Sequence, residues 1–187
     1  MAVKYWPDAT FFLIEAQGDP HEPALRRFRS EFPNVNYVIA AASDQPGTVH
    51  FEASDPFGGV ASHGAFASNN IQVPATTVDA EVESHGLEGP FLLKLDTHGF
   101  EVPILAGAVQ TLSRTNLLII EVYNFKLIDG CLRFHEMCAY LENLGFRCLD
   151  ICDVMRRRDN AFWQCDLFFA PASRPEFRAS FYDVDTD

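Results

Sequence analysis

The sequence lacks two motifs that would assign a chemistry at once. It contains no G-x-G-x-x-G run and no C-x-x-C pair. The first absence argues against a dinucleotide enzyme of the nicotinamide or nucleotide-sugar type, since nothing is present to hold a pyrophosphate. The second absence, together with an odd total of five cysteines, predicts neither a disulfide framework nor a zinc site. No metal site is predicted.

Long apolar runs and excess positive charge are also missing. The longest apolar stretch, LLIIEVYNF at 117–125, is too short to span a bilayer, and the N-terminal MAVKYWPDATFF has no signal-peptide layout. Lys and Arg number 14 against 26 Asp and Glu, which gives a net charge of −12. Such a chain repels phosphates and anionic lipids. We therefore expect a cytoplasmic protein with no nucleic-acid or membrane partner.

Apolar runs that alternate with helical patterns predict the fold. Hydrophobic residues make up 48% of 187 residues, enough for one domain over 1–187 with a tail at 171–187. Strands are predicted at 10–16, 34–44, 48–53, 91–96 and 116–125, and helices at 19–32, 76–86, after Gly99 and at 132–144. The segments 146–154 and 161–170 read as an antiparallel terminal pair, and 54–74 as one irregular loop. The predicted class is α/β, a Rossmann-like doubly wound sheet that is mostly parallel with an antiparallel C-terminal strand.

Polar residues follow each predicted parallel strand at its carboxyl end. In such sheets ligands bind at that edge, so four polar strand ends favour a site. A carboxylate at the first of these ends commonly binds the two hydroxyls of a ribose, and the next end would lie near the base. The residues at these ends are Glu15, then Ser43 and Asp44, then Asp96, then Glu121, Tyr123 and Asn124.

The stretch KLDTHGFE at 94–101 concentrates ionisable groups at one strand-to-helix corner. Asp96 is the first candidate for a functional carboxylate, against a simple interaction with the following helix dipole. His98 could act as a base near neutral pH, or be an exposed loop histidine. Glu101 could contact substrate or only begin the helix. Lys94 alternates with Asp96 along the strand, so an ion pair is predicted, and the carboxylate of Glu121 requires a partner or a cleft.

The ordered set TTVDAEVESHG, FLLKLDTHGFEVPILAGA and LLIIEVYNF resembles the FkbM family of S-adenosylmethionine-dependent methyltransferases. The resemblance covers roughly residues 10–170. It implies methylation of a hydroxyl on a small molecule or sugar, with S-adenosylmethionine as cofactor. The implied roles are catalytic for Asp96, His98 and Glu101, cofactor-binding for Glu15, Ser43, Asp44 and Asp96, and substrate-binding for Tyr123 and Asn124.

The chain also departs from the family pattern. His98 stands where an acidic residue or glutamine is common before the glycine. Residues 2–9, AVKYWPDA, resemble the end of the helix that follows the family's first strand and glycine-rich loop, so the domain is expected to lack both. Unpaired strand edges would then favour a homodimer. Without the first strand and the glycine-rich loop, binding of S-adenosylmethionine by this chain is expected to be weak or absent, which micromolar binding in calorimetry would contradict. A non-catalytic α/β interaction or assembly module remains the alternative.

Overall fold

The computed structural model describes residues 2–55 and 58–182, which group into two compact units. The first unit comprises Met1–Glu88 and Phe100–Ser113, and the second comprises Gly89–Gly99 and Arg114–Asp187. A single domain over 1–187 therefore stays a prediction. In the two described ranges, every helix is too short or too polar to cross a bilayer.

A parallel β-α-β element opens the first unit. Strand β1 (Phe11–Glu15) pairs in parallel with β2 (Val35–Ile39), and helix α1 (Gly18–Glu31) connects them. Glu15 lies opposite Ile39, so both strands end at the same edge. The apolar run of β1 and the helical spacing that follows it predicted this element, and the structure confirms it.

A second, mixed sheet completes the strands of the first unit. Its order is β3 (Ala41–Ala42), β6 (Asn70–Thr76), β4 (Gly47–Glu52) and β5 (Val60–Ser62). The pair β3–β6 is parallel and the others are antiparallel.

Two predictions for this region were wrong. The segment 34–44 is not one strand, because β2 and β3 belong to different sheets. The segment 54–74 is not irregular throughout, because β5 and most of β6 lie within it. Both strands gain their conformation by pairing with β4, a tertiary effect that local composition does not reveal. Residues 56 and 57 of this segment lie outside the described residues.

Three short helices complete the first unit: α2 (Val78–Ser84), α3 (Glu101–Ala106) and α4 (Val109–Leu112). The Thr77 side chain accepts a hydrogen bond from the Ala80 amide at 3.0 Å and caps α2, as its sequence predicted. One helix was predicted after Gly99, whereas the structure has two, because α3 ends at Gly107.

The second unit is built on the sheet β7-β8-β10-β9. Its elements are β7 (Phe91–Leu95), β8 (Thr115–Tyr123), α5 (Phe134–Asn143), β9 (Phe146–Arg156) and β10 (Phe162–Pro171). The pair β7–β8 is parallel, while β10 runs antiparallel to β8 and β9. The antiparallel C-terminal strand is thus confirmed.

The core of the second unit is apolar, and β9 is an edge strand of its sheet. Leu118 and Ile120 of β8, Phe169 of β10, and Met137 and Leu141 of α5 are almost completely buried. Among the described strands, β9 pairs only with β10. Four apolar side chains of β9 are exposed: Leu149, Ile151, Val154 and Met155. This edge strand therefore presents apolar surface.

The fold class is therefore mixed α/β, as predicted at that level. The described strands form three sheets, in which β1–β2, β3–β6 and β7–β8 are the parallel pairs. The prediction of a mostly parallel sheet missed antiparallel pairs, because β5 and most of β6 lie in a segment that had been assigned to a loop and pair antiparallel with β4.

Candidate functional site

In the second unit, β7 and β8 deliver polar side chains to one edge of the sheet. Asp96 follows β7 directly, and Glu121 and Tyr123 are among the last three residues of β8. Because the two strands are parallel, with Leu95 opposite Ile120, their carboxyl ends meet at that edge.

The turn after Asp96 holds His98 in an uncommon backbone conformation. His98 has φ of 51° and Gly99 has φ of 110°, so both lie in the left-handed region. A Cβ at Gly99 would lie 3.0 Å from Cβ of Cys131 and 3.1 Å from Cγ1 of Ile128, so a side chain would be strained and crowded there. The glycine of the KLDTHGFE stretch is thus required by the turn that places His98.

Asp96, His98 and Glu121 form one cluster, called here the carboxylate–imidazole cluster. One ligand-type atom from each residue lies within 4.8 Å of the other two. His98 Nε2 is 3.6 Å from Glu121 Oε2. The Tyr123 hydroxyl donates a hydrogen bond to the same oxygen at 2.5 Å, and the Gln164 side-chain amide donates to Oε1. The sequence predicted that the Glu121 carboxylate needs a partner, and both of its oxygens accept a hydrogen bond.

The cluster carries an excess of negative charge. Burial raises the pKa of the Glu121 carboxyl, and the nearby Asp96 carboxylate raises it further, while the Tyr123 hydrogen bond opposes both. Asp166 of β10 lies directly across from Glu121, and burial raises the pKa of its carboxyl as well. Lys94 Nζ is 2.5 Å from Asp96 Oδ2, which confirms the predicted ion pair.

Aromatic rings surround the end of β8. The rings of Tyr123 and Trp163 are 5.6 Å apart at their centroids, and those of Phe125 and Trp163 are 5.4 Å apart. The Arg157 guanidinium lies 4.7 Å from the Phe125 centroid. The Asn124 amide donates to the Trp163 carbonyl at 2.8 Å, which ties the strand end to β10. Tyr123 thus contacts the cluster, whereas the backbone of Asn124 has a structural role.

The predicted cofactor residues Glu15, Ser43 and Asp44 lie in the first unit. Glu15 ends β1, and its Oε1 accepts the Gln17 amide at 2.8 Å. Ser43 is completely buried and donates its hydroxyl to Asp44 Oδ1 at 2.9 Å. His63 Nε2 lies 3.3 Å from the same Asp44 oxygen. Ser43 therefore orients Asp44, and Glu15 and Asp44 carry the accessible carboxylates of this group.

Several residues that resemble the family motif are structural. Asp79 accepts hydrogen bonds from the Gln110 and Thr111 amides, both at 2.8 Å, and from the Thr111 hydroxyl at 2.7 Å, so it caps α4. A Cβ at Gly107 would lie 2.1 Å from the Ser43 carbonyl oxygen, so only glycine fits there. Glu101, predicted to be catalytic, is 3% exposed at the first position of α3, and its catalytic role stays a prediction.

Sequence reasoning named Glu121 among the polar strand ends but assigned it no role, and it did not place Gln164, Asp166 or His63 in a site. Glu121 had a usable signal, since a carboxylate within an apolar strand needs a partner. Gln164 and Asp166 had none, because only the register of β10 against β8 brings them to Glu121. His63 lies in the segment that was assigned to a loop.

Comparison with known proteins gives one family assignment. A search among curated proteins finds no match. The family model described as Methyltransferase FkbM domain matches residues 20–148, which is more than half of the chain and includes the carboxylate–imidazole cluster. The chain therefore belongs to the FkbM methyltransferase family.

Proposed function

We propose that this chain transfers a methyl group from S-adenosylmethionine to a hydroxyl of a small molecule or sugar. The family supports methyl transfer, and the observation that carries the proposal further is the contact between His98 Nε2 and Glu121 Oε2, 3.6 Å, at the carboxyl ends of β7 and β8. A partly buried imidazole beside a carboxylate is the usual arrangement of a proton acceptor.

The chemistry assigns each member of the cluster a separate task. S-adenosylmethionine supplies an electrophilic methyl group, and the acceptor oxygen must lose its proton as it forms the new bond. His98 Nε2 takes that proton, and Glu121 stabilises the resulting imidazolium. Tyr123 and Gln164 fix the Glu121 carboxylate through its two oxygens. This fixed orientation supports transfer, because a reacting group must be held close to its productive geometry.

Cofactor binding is assigned to the predicted strand-end residues. Glu15 fits the role of binding the ribose hydroxyls. The Gln17 amide donates to one of its carboxylate oxygens, and the second oxygen can accept hydrogen bonds from hydroxyls. Asp44, oriented by Ser43, is assigned to the base. The proposal includes a Rossmann-like arrangement of the strands and a cytoplasmic location.

The test measures methyl transfer directly. The purified chain is incubated with S-adenosylmethionine carrying a tritiated methyl group and a panel of sugars and small hydroxyl compounds. His98→Gln is expected to lower the transfer rate by about 10² to 10⁴, the usual contribution of a positioned base. His135→Gln is the control, because His135 is an exposed imidazole of α5. Equal rates for the two variants would contradict the role of His98. A folded protein that transfers nothing across the panel would contradict the proposal, and measurable transfer would contradict the expectation from the sequence that this chain binds S-adenosylmethionine weakly or not at all.

One observation favours a second candidate, a non-catalytic module that assembles with its own copy. The exposed apolar side chains of β9 lie on an edge strand, so a second copy could extend the sheet there. Sedimentation measurements would show a dimer that Ile151→Lys dissociates and Arg156→Lys leaves intact. A monomer at all concentrations, or a dimer that ignores Ile151→Lys, would exclude this assembly.

A further inference from the structure

We infer that the carboxylate–imidazole cluster of Asp96, His98 and Glu121 binds a divalent transition-metal cation. The inference begins with the donor set. Each residue offers one ligand atom, and the three atoms lie within 4.8 Å of one another. Bonds of about 2.0–2.2 Å to a common cation would place the three ligand atoms roughly 3 Å from one another. Side-chain rotations that move each ligand atom by about an ångström would therefore close the site. His98 and Glu121, already 3.6 Å apart, are close to that spacing.

The charge around the cluster favours a cation independently of the spacing. Glu121 and Asp166 face each other across β8 and β10, and like charges placed directly opposite destabilise a sheet. Asp96 adds a third carboxylate, against one ammonium group from Lys94. A divalent cation at the cluster would offset the two carboxylates that bind it and reduce the repulsion felt by Asp166.

The hydrogen bonds around Glu121 are of the kind that orient a metal ligand. Tyr123 and Gln164 each donate to one Glu121 oxygen, and each oxygen keeps a further lone pair for coordination. Such outer partners hold ligating carboxylates in many metal sites and influence affinity strongly. The Asp96 carboxylate is oriented in a similar way. Lys94 Nζ donates a hydrogen bond to Oδ2, and this contact also fixes the direction of Oδ1.

The donor chemistry narrows the choice of cation. Two carboxylates with one imidazole suit Mn²⁺, Fe²⁺, Co²⁺ or Zn²⁺ better than Mg²⁺ or Ca²⁺, which favour oxygen ligands alone. Three protein ligands leave coordination positions open for a substrate oxygen. On the proposed function, the cation would hold the acceptor hydroxyl and lower its pKa, so that the hydroxyl proton would pass to solvent, and His98 would then be a ligand of the cation and not the base. This last step rests on the proposed function, whereas the binding of the cation does not.

Manganese is the probe, because Mn²⁺ avoids thiolates and so does not report on the exposed Cys148. The full chain is treated with a chelator, dialysed and titrated with Mn²⁺ while the electron paramagnetic resonance signal of the free ion is followed. One ion per chain is expected. Asp96→Asn, His98→Gln and Glu121→Gln should each abolish or strongly weaken binding, while the exposed-surface controls His135→Gln and Glu142→Gln should not change it.

A fourth variant keeps the test decisive if a ligand substitution unfolds the protein. Tyr123→Phe retains all three ligands and is expected to weaken Mn²⁺ binding about 10- to 100-fold, the range typical of losing an outer partner. Co²⁺ provides a second readout, since its visible spectrum should appear in the parent and be lost in His98→Gln. No saturable Mn²⁺ or Co²⁺ binding, or binding that the cluster variants leave unchanged, would overturn the inference.

The metal site and the methyl transfer can fail separately. A chain that binds Mn²⁺ through the cluster but transfers no methyl group keeps the site and loses the proposed function. Methyl transfer that persists at full rate in excess chelator keeps the function and overturns the role of the cation in it, whereas the Mn²⁺ titration decides whether the cation binds.

Discussion

Replacing Gly107 by alanine should destabilise the first unit sharply. The added Cβ would lie 2.1 Å from the Ser43 carbonyl oxygen and 3.1 Å from the Thr77 Cβ. The Ser43 backbone cannot easily move away, because Ser43 is completely buried and its amide donates to the Thr76 carbonyl at 2.8 Å. Overpacking costs typically about 1–3 kcal/mol, and contact with a fixed backbone oxygen belongs at the upper end. In a protein of this size that corresponds to a fall in melting temperature of roughly 5–10 °C.

Thermal unfolding followed by circular dichroism measures this effect. Gly64→Ala is the matched control, because the nearest atom to its added Cβ would be the Ser62 hydroxyl at 3.9 Å. The control should melt within about 2 °C of the parent, or slightly higher, since alanine restricts the unfolded chain. If Gly107→Ala melted together with Gly64→Ala, the close approach of Gly107 to Ser43 would be refuted.

The remaining predictions concern α4, α5 and the thiols. Asp79→Asn should lower the free energy of unfolding by about 1–2 kcal/mol in urea titration, since the charged cap of α4 is lost, and an unchanged midpoint would argue against that cap. The Arg133 guanidinium and amide lower the pKa of the Glu136 carboxyl to about 2, so its stabilisation is present above the ordinary glutamate pKa and is lost as pH falls towards 2. Glu136→Gln should therefore flatten the acid side of the stability profile between about pH 5 and pH 2, and parallel profiles would contradict this. A thiol reagent should modify the exposed Cys148 well before the buried Cys131 and Cys165 in the folded protein, and burial also raises the pKa of the Cys165 thiol to about 11. Equal rates of modification would contradict the assigned burial.

The strand ends show what the sequence could predict about the site. Asp96 and His98 were found because an apolar run stops abruptly at a turn, and the Lys94–Asp96 pair followed from alternation along a strand. Their relation to Glu121 depends on the parallel register of β7 and β8, which a local pattern does not contain. Gln164 and Asp166 lie in β10, and they come close to Glu121 only because of the register of β10 against β8. Long-range pairing was therefore the information that the sequence reading lacked.

The fold shows the same division between local and non-local information. Helix α2 was predicted with its Thr77 cap, because capping depends on residues three positions apart. Strands β5 and β6 were missed, because their residues read as a Gly-, Ser- and Asn-rich loop and form strands only beside β4. The break at Gly107 was missed for a related reason, since the obstacle is a carbonyl more than sixty residues earlier in the chain.

The contacts of Asp79 and Gly107 bear on how this family evolves. Asp79 caps α4, the Asp79 amide donates to the Gly107 carbonyl at 3.0 Å, and Gly107 allows close approach to Ser43. Substitutions at these positions should be coupled, so members that change one are expected to change its neighbours in compensation. Selection on the contacts of Asp79, Gly107 and Ser43 acts through folding alone, whereas on the proposed function selection on Asp96, His98 and Glu121 acts through chemistry. On that proposal, a descendant without methyl transfer would keep the first set of residues and change at the second.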